Sequence, residues 1–454
     1  MSLTRKSFRG GVHPEGHKEL SKNASFETYL PQGDMVFPLS QHIGRPASPV
    51  VAKGDRVLAG QLIAEAGAGL SANIVSSCSG PVKAIDRHRT IAGTFMQSII
   101  IENDGLYETL PGIGKKVDHR KLSQAEILAK IRDAGIVGMG GAGFPTHIKL
   151  APRDPSAIRY VIANGAECEP YITCDDQLMR NYAPEILTGM EVILSLFPGS
   201  EGVVVIEDNK PEAIQAMLNA AAGKNIRILP MPTKYPQGGE RSVINVVCGA
   251  NYGITELPAD VGCIVDNVGT IYAIYKAVCE SAPLMERGVT ITGEAVKRPC
   301  NLLTRIGANI GELLEVAGGY RDGSKAVKIL AGGPMMGIPV DNLGVPLQKN
   351  NNALTFLTGD PVADSLQVQT ACIRCGRCVR VCPQGLTPQL MSAAFEKKDY
   401  ERYENKLHGL ECISCGSCTF ICPAKRHLTQ EFKVAKAEIM AMKRAQKEKE
   451  AAKE

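Results

Sequence analysis

The chain has no tryptophan, and only 5% of its residues are aromatic. More is excluded by the shortage of long apolar runs. The longest stretch free of charged residues, 66–82, is rich in glycine and serine, whereas a spanning helix needs about 20 mostly apolar residues. No transmembrane segment is expected. The opening MSLTRKSFRGGVHPEG has no apolar core, so no secretory signal is expected either. A strong charge of one sign is also missing. A net charge of +4 over 454 residues leaves no nucleic-acid footprint. These absences point to a chain that stays in the cytoplasm and has no nucleic-acid partner. At this length and with 44% hydrophobic residues, several globular domains are expected rather than one core.

Cysteine is what the chain has in excess. Eight of its 15 cysteines fall in two copies of C-x2-C-x2-C-x3-C-P, CIRCGRCVRVCP from Cys372 and CISCGSCTFICP from Cys412. This is the spacing of two-cluster bacterial ferredoxins, in which the fourth cysteine of each run ligates the other cluster. Thiolate is the soft donor that iron–sulfur clusters need. The expectation is therefore two [4Fe–4S] clusters. One is held by Cys372, Cys375, Cys378 and Cys422, the other by Cys412, Cys415, Cys418 and Cys382. Zinc sites prefer paired knuckles to three cysteines in a row plus Cys-Pro. Disulfides do not suit a reducing compartment. Gly376 and Gly416 are read as leaving room beside inorganic sulfur. The seven scattered cysteines are read as small buried hydrophobes.

Clusters carry electrons singly, so the chain needs an exchange partner upstream. Residues 123–150 read SQAEILAKIRDAGIVGMGGAGFPTHIKL. Ser123 and Glu126 form a capping box, and Ile127, Leu128 and Ile131 mark a helix of about three turns. Gly138, Gly140 and Gly143 match G-x-G-x-x-G, but they follow a helix instead of a strand. The dinucleotide fingerprint is therefore rejected. What remains is either a loop whose amides approach a phosphate or ring closely, with Lys149 adding charge, or an ordinary tight loop. Ala157 to Ala163 reads as a buried strand. It runs into a polar loop with Asn164, Gly165, Glu167 and Glu169, which is either a ligand shelf at a strand end or a solvated loop.

GMGGAGFPTHIKL followed by VIANGAECEPYITCDDQLM resembles the flavin- and NADH-binding module of the complex I flavoprotein subunit. With FRGGVHPEGHKELSKN it resembles more closely still the RnfC family, the peripheral C subunits of ion-translocating ferredoxin:NAD oxidoreductases. That resemblance implies FMN held by Gly140, Gly141, Gly143 and Lys149, with Asn164, Glu167 and Asn267 as further flavin contacts. Phe144 would lie on the nicotinamide side and Glu169 would face NAD(H). Tyr235 and Glu240 of YPQGGE would close the site. Ala166 departs from the complex I pattern, which is acidic there. The implied partners are NAD(H), other subunits of a membrane Rnf-type complex, and ferredoxin or a ferredoxin-reacting subunit. The implied location is peripheral, on the cytoplasmic side of the membrane. Two rival readings are a related flavin/iron–sulfur cobalamin reductase and a non-catalytic iron–sulfur carrier.

The remaining segments complete an α/β multidomain expectation. VAKGDRVLAGQLIAE and ANIVSSCSGPVKAI resemble a biotinyl/lipoyl-like barrel-sandwich without the lysine hairpin of a swinging arm, hence a scaffold over 1–115. An FMN/NADH-binding domain of the complex I type, not a Rossmann fold, is expected over 116–284. VTITGEAVKRPCNLLTRIGANIGELLEVAGGY up to ILAGGPMMG resembles the SLBB β-grasp domain, placed at 285–345. Residues 345–370 read as a polar connector. The two-cluster ferredoxin-like domain is placed at 346–432, and a charged, solvated helical tail at 433–454. His13, His17 and His147 are read as surface or packing residues.

Overall fold

Alternating strand and helix segments in the middle of the chain build a parallel sheet. The computed structural model describes residues 7–360, 364 and 368–451. It divides into two compact units. One comprises 16–231 and 258–359, and the other the described residues of 7–15, 232–257 and 360–451.

At the heart of the larger unit, four parallel strands lie in the order Ile226–Met231, Glu201–Glu207, Tyr160–Gly165 and Cys263–Asn267. The run GVVVIE is buried almost throughout because helices cover both faces of the sheet, as for any parallel sheet. Helices Gln124–Asp133, Ala183–Leu196 and Val268–Cys279 pack here around Ile186, Met190, Val204, Ile264 and Ile271. The first begins where the sequence places it. The Ser123 side chain accepts from the Glu126 N–H, and the Glu126 carboxylate accepts from the Ser123 N–H. The strand expected from Ala157 begins later, at Tyr160. Asp154 caps a 3-10 turn over Pro155–Ala157 and holds those residues out of the sheet.

Residues 35–101 supply two small antiparallel sheets, a four-stranded and a three-stranded one. A six-stranded sheet follows, in the order Phe26–Tyr29, Cys300–Arg305, Glu286–Thr292, Ala353–Leu357, Lys328–Ala331 and Ile338–Val340. Phe37, Ile63 and Ile99 of the former share one core with Ile291, Leu302 and Phe356 of the latter and with Leu313 of the helix Ile310–Val316. Ala353–Leu357 corrects the reading of 345–370 as a polar connector. All five of its residues are buried in the middle of this sheet. The apolar run ALTFL is short, and its polar flanks KNNN and TGD masked it.

In the smaller unit, helices Arg377–Val381, Pro388–Glu396, Ser417–Phe420 and Leu428–Ala451 enclose a core of Met391, Tyr403, Phe432, Ala435 and Ile439. The last helix is thus not wholly a solvated tail. It starts before Lys433 and buries Leu428, Phe432, Ala435 and Ile439, one stripe at helical spacing. Residues 452–454 of the expected tail lie outside the described residues. Residues 8–12 and 232–241 belong to this unit too. The Gly11 N–H donates to Val381 O at 2.8 Å, and Val12 pairs with Tyr235. Gly10 has φ +79°, and a Cβ there would sit 2.8 Å from Cys382 O, so the Gly-Gly of the opening motif is a close backbone approach. Five of the seven scattered cysteines, Cys78, Cys174, Cys263, Cys279 and Cys300, are buried. His17 stacks on Tyr171 at 4.6 Å.

Candidate functional site

The two cysteine runs fold alike because they carry left-handed backbone at equivalent places. Arg374 and Gly376 have φ 57° and 70°, and Ser414 and Gly416 have φ 55° and 83°. Each glycine is the N-cap of the short helix that follows. What the structure shows for these glycines is a backbone demand. A Cβ on Gly376 would meet nothing within 4 Å.

The helices carry the fourth cysteine of each run away from the first three. Cys382 joins Cys412, Cys415 and Cys418 around one cavity. Cys422 joins Cys372, Cys375 and Cys378 around another. The two surroundings differ. The first cavity is lined by Leu386, Met391, Ser417, Thr429 and Phe432, and burial pushes the Cys418 thiol up to about 12. Around the second, Cys372, Cys375, Arg374 and Arg377 are exposed, as is Arg380 of the helix that follows. None of these three arginines forms an ion pair among the described residues. Arg426, by contrast, is held by Glu396 and Glu431. Four convergent sulfurs per cavity, with no carboxylate or imidazole among the lining residues, fit a thiolate-ligated cluster.

In the larger unit, the chain runs outward from Tyr160–Gly165 on one side of the sheet and returns through Cys263–Asn267 on the other. The carboxyl ends of these two strands therefore form a topological switch point, where open α/β sheets bind ligands. Asn164, Glu167 and Asn267 are brought together there. Asn267 Oδ1 caps its helix through the Gly269 N–H at 2.8 Å, and its Nδ2 donates to Asp175 Oδ2 at 2.7 Å. Gly140 packs against it so closely that a Cβ would lie 2.9 Å from Asn267 Cβ. Gly141 is open and exposed, and Gly143 adopts φ +73° beside Gln41. Phe144 is half-buried, and its carbonyl accepts from Gly138 N at 2.8 Å. Lys149 Nζ donates to Val265 O at 2.7 Å and lies 3.1 Å from Asp266 Oδ1.

A charged network that the sequence reading missed lies beneath the loop after Gly165. Lys18 Nζ donates to the carbonyls of Glu167, Glu169 and Ile172 at 2.9, 3.0 and 2.5 Å. Lys210 Nζ donates to the carbonyl of Ala166 at 2.7 Å and lies 3.5 Å from Glu207. Glu167 has φ +47°. Its Oε1 accepts from the Asp175 N–H at 2.7 Å, and burial, opposed by Lys18, holds its carboxyl up at about 8. Glu167 Oε2 and Asp176 Oδ1 are buried and accept no hydrogen bond among the described residues. Such carboxyl groups fit a ligand rich in hydroxyls, which donate as well as accept, as the ribityl and ribose parts of FMN and NAD(H) do. Glu169 accepts from the Met336 and Met335 N–H groups at 2.8 and 3.1 Å.

Tyr235 and Glu240 lie in the smaller unit. Tyr235 is buried and its hydroxyl donates to Cys415 O at 2.8 Å. Glu240 opens the helix Glu240–Cys248 and accepts from the Tyr252 hydroxyl at 2.7 Å.

Comparison with known proteins agrees with this layout. Residues 6–106 match the RnfC barrel sandwich hybrid domain, 131–276 the Nuo51 FMN-binding domain, 289–339 the SLBB domain and 371–426 the 4Fe-4S dicluster domain. The chain is 44% identical over 445 residues to the C subunit of the proton-translocating ferredoxin:NAD(+) oxidoreductase complex of Clostridium ljungdahlii, covering 98% of this chain and 96% of that one. It is 36% identical to the C subunit of the Na(+)-translocating ferredoxin:NAD(+) oxidoreductase complex of Acetobacterium woodii, covering 98% and 99%. It is 40% identical over 400 residues to the C subunit of the ion-translocating oxidoreductase complex of Rhodobacter capsulatus, covering 87% and 76%. With four domains matched in order and near full-length identity, the chain belongs to the RnfC family, the C subunits of ion-translocating oxidoreductase complexes.

Proposed function

We propose that this chain exchanges electrons between NAD(H) and FMN at the switch point and relays them singly through two [4Fe–4S] clusters, as a subunit of a ferredoxin:NAD+ oxidoreductase that translocates ions. The observation that carries this reading is the presence in one chain of an FMN-binding domain and two four-cysteine cavities. When bound, FMN and the clusters supply the chemistry, a two-electron hydride exchange coupled to one-electron carriers.

The chain's own residues supply position and electrostatics. Gly140, Gly141 and Gly143 would let backbone amides approach the flavin, with Lys149 as the nearby charge for its phosphate. Asn164, Glu167 and Asn267 would contact FMN, and Glu167 Oε2 and Asp176 Oδ1, buried without a hydrogen bond among the described residues, would meet its hydroxyls. Phe144 and Glu169 would face the nicotinamide nucleotide. Cys372, Cys375, Cys378 and Cys422 would hold one cluster, and Cys382, Cys412, Cys415 and Cys418 the other.

The exposed Cys372 and Cys375, with exposed Arg374 and Arg377 lining the same cavity, support electron exchange there with an acidic partner. That partner would be ferredoxin or a subunit that reacts with it. No described helix is long and apolar enough to cross a membrane. The chain would therefore be held by membrane subunits that move the ion, on the cytoplasmic face where NAD(H) is found.

Anaerobically reconstituted protein tests this. It should hold about eight irons per chain and bound FMN, and NADH should bleach the flavin and reduce an artificial acceptor. Full iron with neither flavin nor NADH oxidation would make the chain a carrier only.

A further inference from the structure

The two cysteine runs are an internal control for each other, because equivalent positions lie forty residues apart. Several of those positions around the sulfurs differ in kind, and at three of them the second run has a hydroxyl in its helix or beside it. Arg377, Val379 and Gln389 of the first run correspond to Ser417, Thr419 and Thr429 of the second. The hydroxyls are on the sulfurs. Ser417, wholly buried, has its Oγ 3.4 Å from Cys415 Sγ. Thr429, also buried, has its Oγ1 3.7 Å from Cys418 Sγ. Thr429 is further primed by its neighbour. The Thr429 N–H donates to Thr419 Oγ1 at 2.9 Å, and the two threonine hydroxyls are 2.8 Å apart. With Thr419 as donor in that pair, the Thr429 proton is left to point at sulfur, and donors in such a chain polarise one another. In the first run the equivalent contact is the Gln389 amide, its Oε1 3.6 Å from Cys378 Sγ, and Arg377 is exposed.

We infer that Ser417 and Thr429 raise the reduction potential of the cluster held by Cys382, Cys412, Cys415 and Cys418, and so set it apart from its neighbour. The inference rests on the cluster reading above. With free thiols, Cys415 donates to Ser417. Ligation removes the thiol proton, so the only hydrogen left between the two groups is the serine's, and the hydroxyl becomes the donor. A donor to a thiolate is worth more when the cluster carries the extra electron, because the sulfurs are then more negative. Hydrogen bonds to sulfur are one of the protein's levers on cluster potential. In this buried cavity water does not compete with them. Two runs of like backbone thus yield clusters of unlike potential through the hydroxyls that only the second presents to its sulfurs.

The test is an anaerobic redox titration of the full, cluster-loaded chain, followed by electron paramagnetic resonance. In the variant S417A/T429V one of the two reduction waves should move to lower potential, with the reduced-to-oxidised ratio at the wild-type midpoint falling about tenfold, or about 59 mV for one electron. The other wave should stay in place. S417T and T429S, which keep the hydroxyls, should titrate as wild type. Each single variant is scored as well, so loss of iron from the double variant leaves the test intact. Unmoved midpoints in S417A and T429V would overturn the inference, and so would T429S shifting as far as T429V. Failure of the wild-type chain to load about eight irons would instead overturn the cluster reading itself.

Discussion

Replacing Lys18 by methionine isolates the charge that organises the flavin-side loop. Methionine nearly matches the length of the lysine stem, so little cavity is created and the loss is electrostatic. The Lys18 side chain is only 15% exposed, and its ammonium serves three carbonyls within 3.0 Å as well as Glu167 Oε2 at 3.9 Å. Glu167 itself is 1% exposed. Burial lowers the pKa of Lys18 while Glu167 opposes that shift, so the ammonium is costly to bury and its hydrogen bonds must offset the cost. Removing it strands three carbonyls, and a hydrogen bond to a charged group is worth about 1.5–3 kcal/mol. Removing one partner of a buried pair typically costs about 3–5 kcal/mol. The expected loss falls in that second range, because Glu167 can hold its proton and water can reach part of the loop. It is comparable with a large share of a domain's stability, about 5–15 kcal/mol. Lys18→Met should therefore lower the Tm by about 5 °C or more, speed hydrogen exchange in residues 166–175, and release FMN on gel filtration while leaving the iron content unchanged. A Tm within about 1 °C of wild type, with flavin retained, would refute the idea that one ammonium holds the loop.

Three further outcomes follow from named groups. Glu167 has its folded-state pKa raised from 4.5 to about 8, so its burial costs nothing extra below about pH 4.5 and destabilises progressively as pH rises to about 8. Glu167→Gln should remove that part of the fall in Tm with pH, and an unchanged slope would contradict the assignment. Cys382→Ser should lower the iron content from about eight to about four and abolish the signal of the cluster held by Cys412, Cys415 and Cys418, although Cys382 lies in the other run. Arg374→Glu with Arg377→Glu should slow electron exchange with an acidic ferredoxin and flatten its salt dependence, with bleaching of the flavin by NADH unchanged.

What the sequence made legible was chemistry carried by spacing. Eight cysteines in two runs, the capping box at Ser123 and the polar residues after an apolar strand each sit within a dozen residues, so local pattern was enough. The Lys18 network was not legible, because its members are about 150 residues apart and a single lysine in HKEL looks like any surface charge. The only signal was the pair Asp175–Asp176 at a helix start, where acids favour the dipole anyway. Ala353–Leu357 and the stripe through Ile439 were hidden for a related reason. A five-residue strand among asparagines, and four apolar positions among lysines and glutamates, carry less weight in composition than in geometry.

The segment 232–257 shows how far such local reading reaches. By sequence it lies between two strands of the flavin sheet and reads as part of that domain. Its hydrogen bonds go elsewhere. Tyr235 donates to Cys415 O and pairs through its backbone with Val12, while Arg241 reaches Gln384 and Glu411. The Gly11 N–H satisfies Val381 O at the end of the first cluster helix. The cysteine runs thus lack part of their own enclosure, since short helices of four and five residues cannot satisfy their terminal carbonyls internally. Two excursions of the chain supply partners: the one from its start reaches Val381 O at the end of the first helix, and the one from between sheet strands reaches Cys415 O ahead of the second. The ferredoxin-like fold here is completed by sequence that belongs, by position, to the flavin half of the protein. Folding of the cluster sites is therefore tied to the chain on both sides of that sheet.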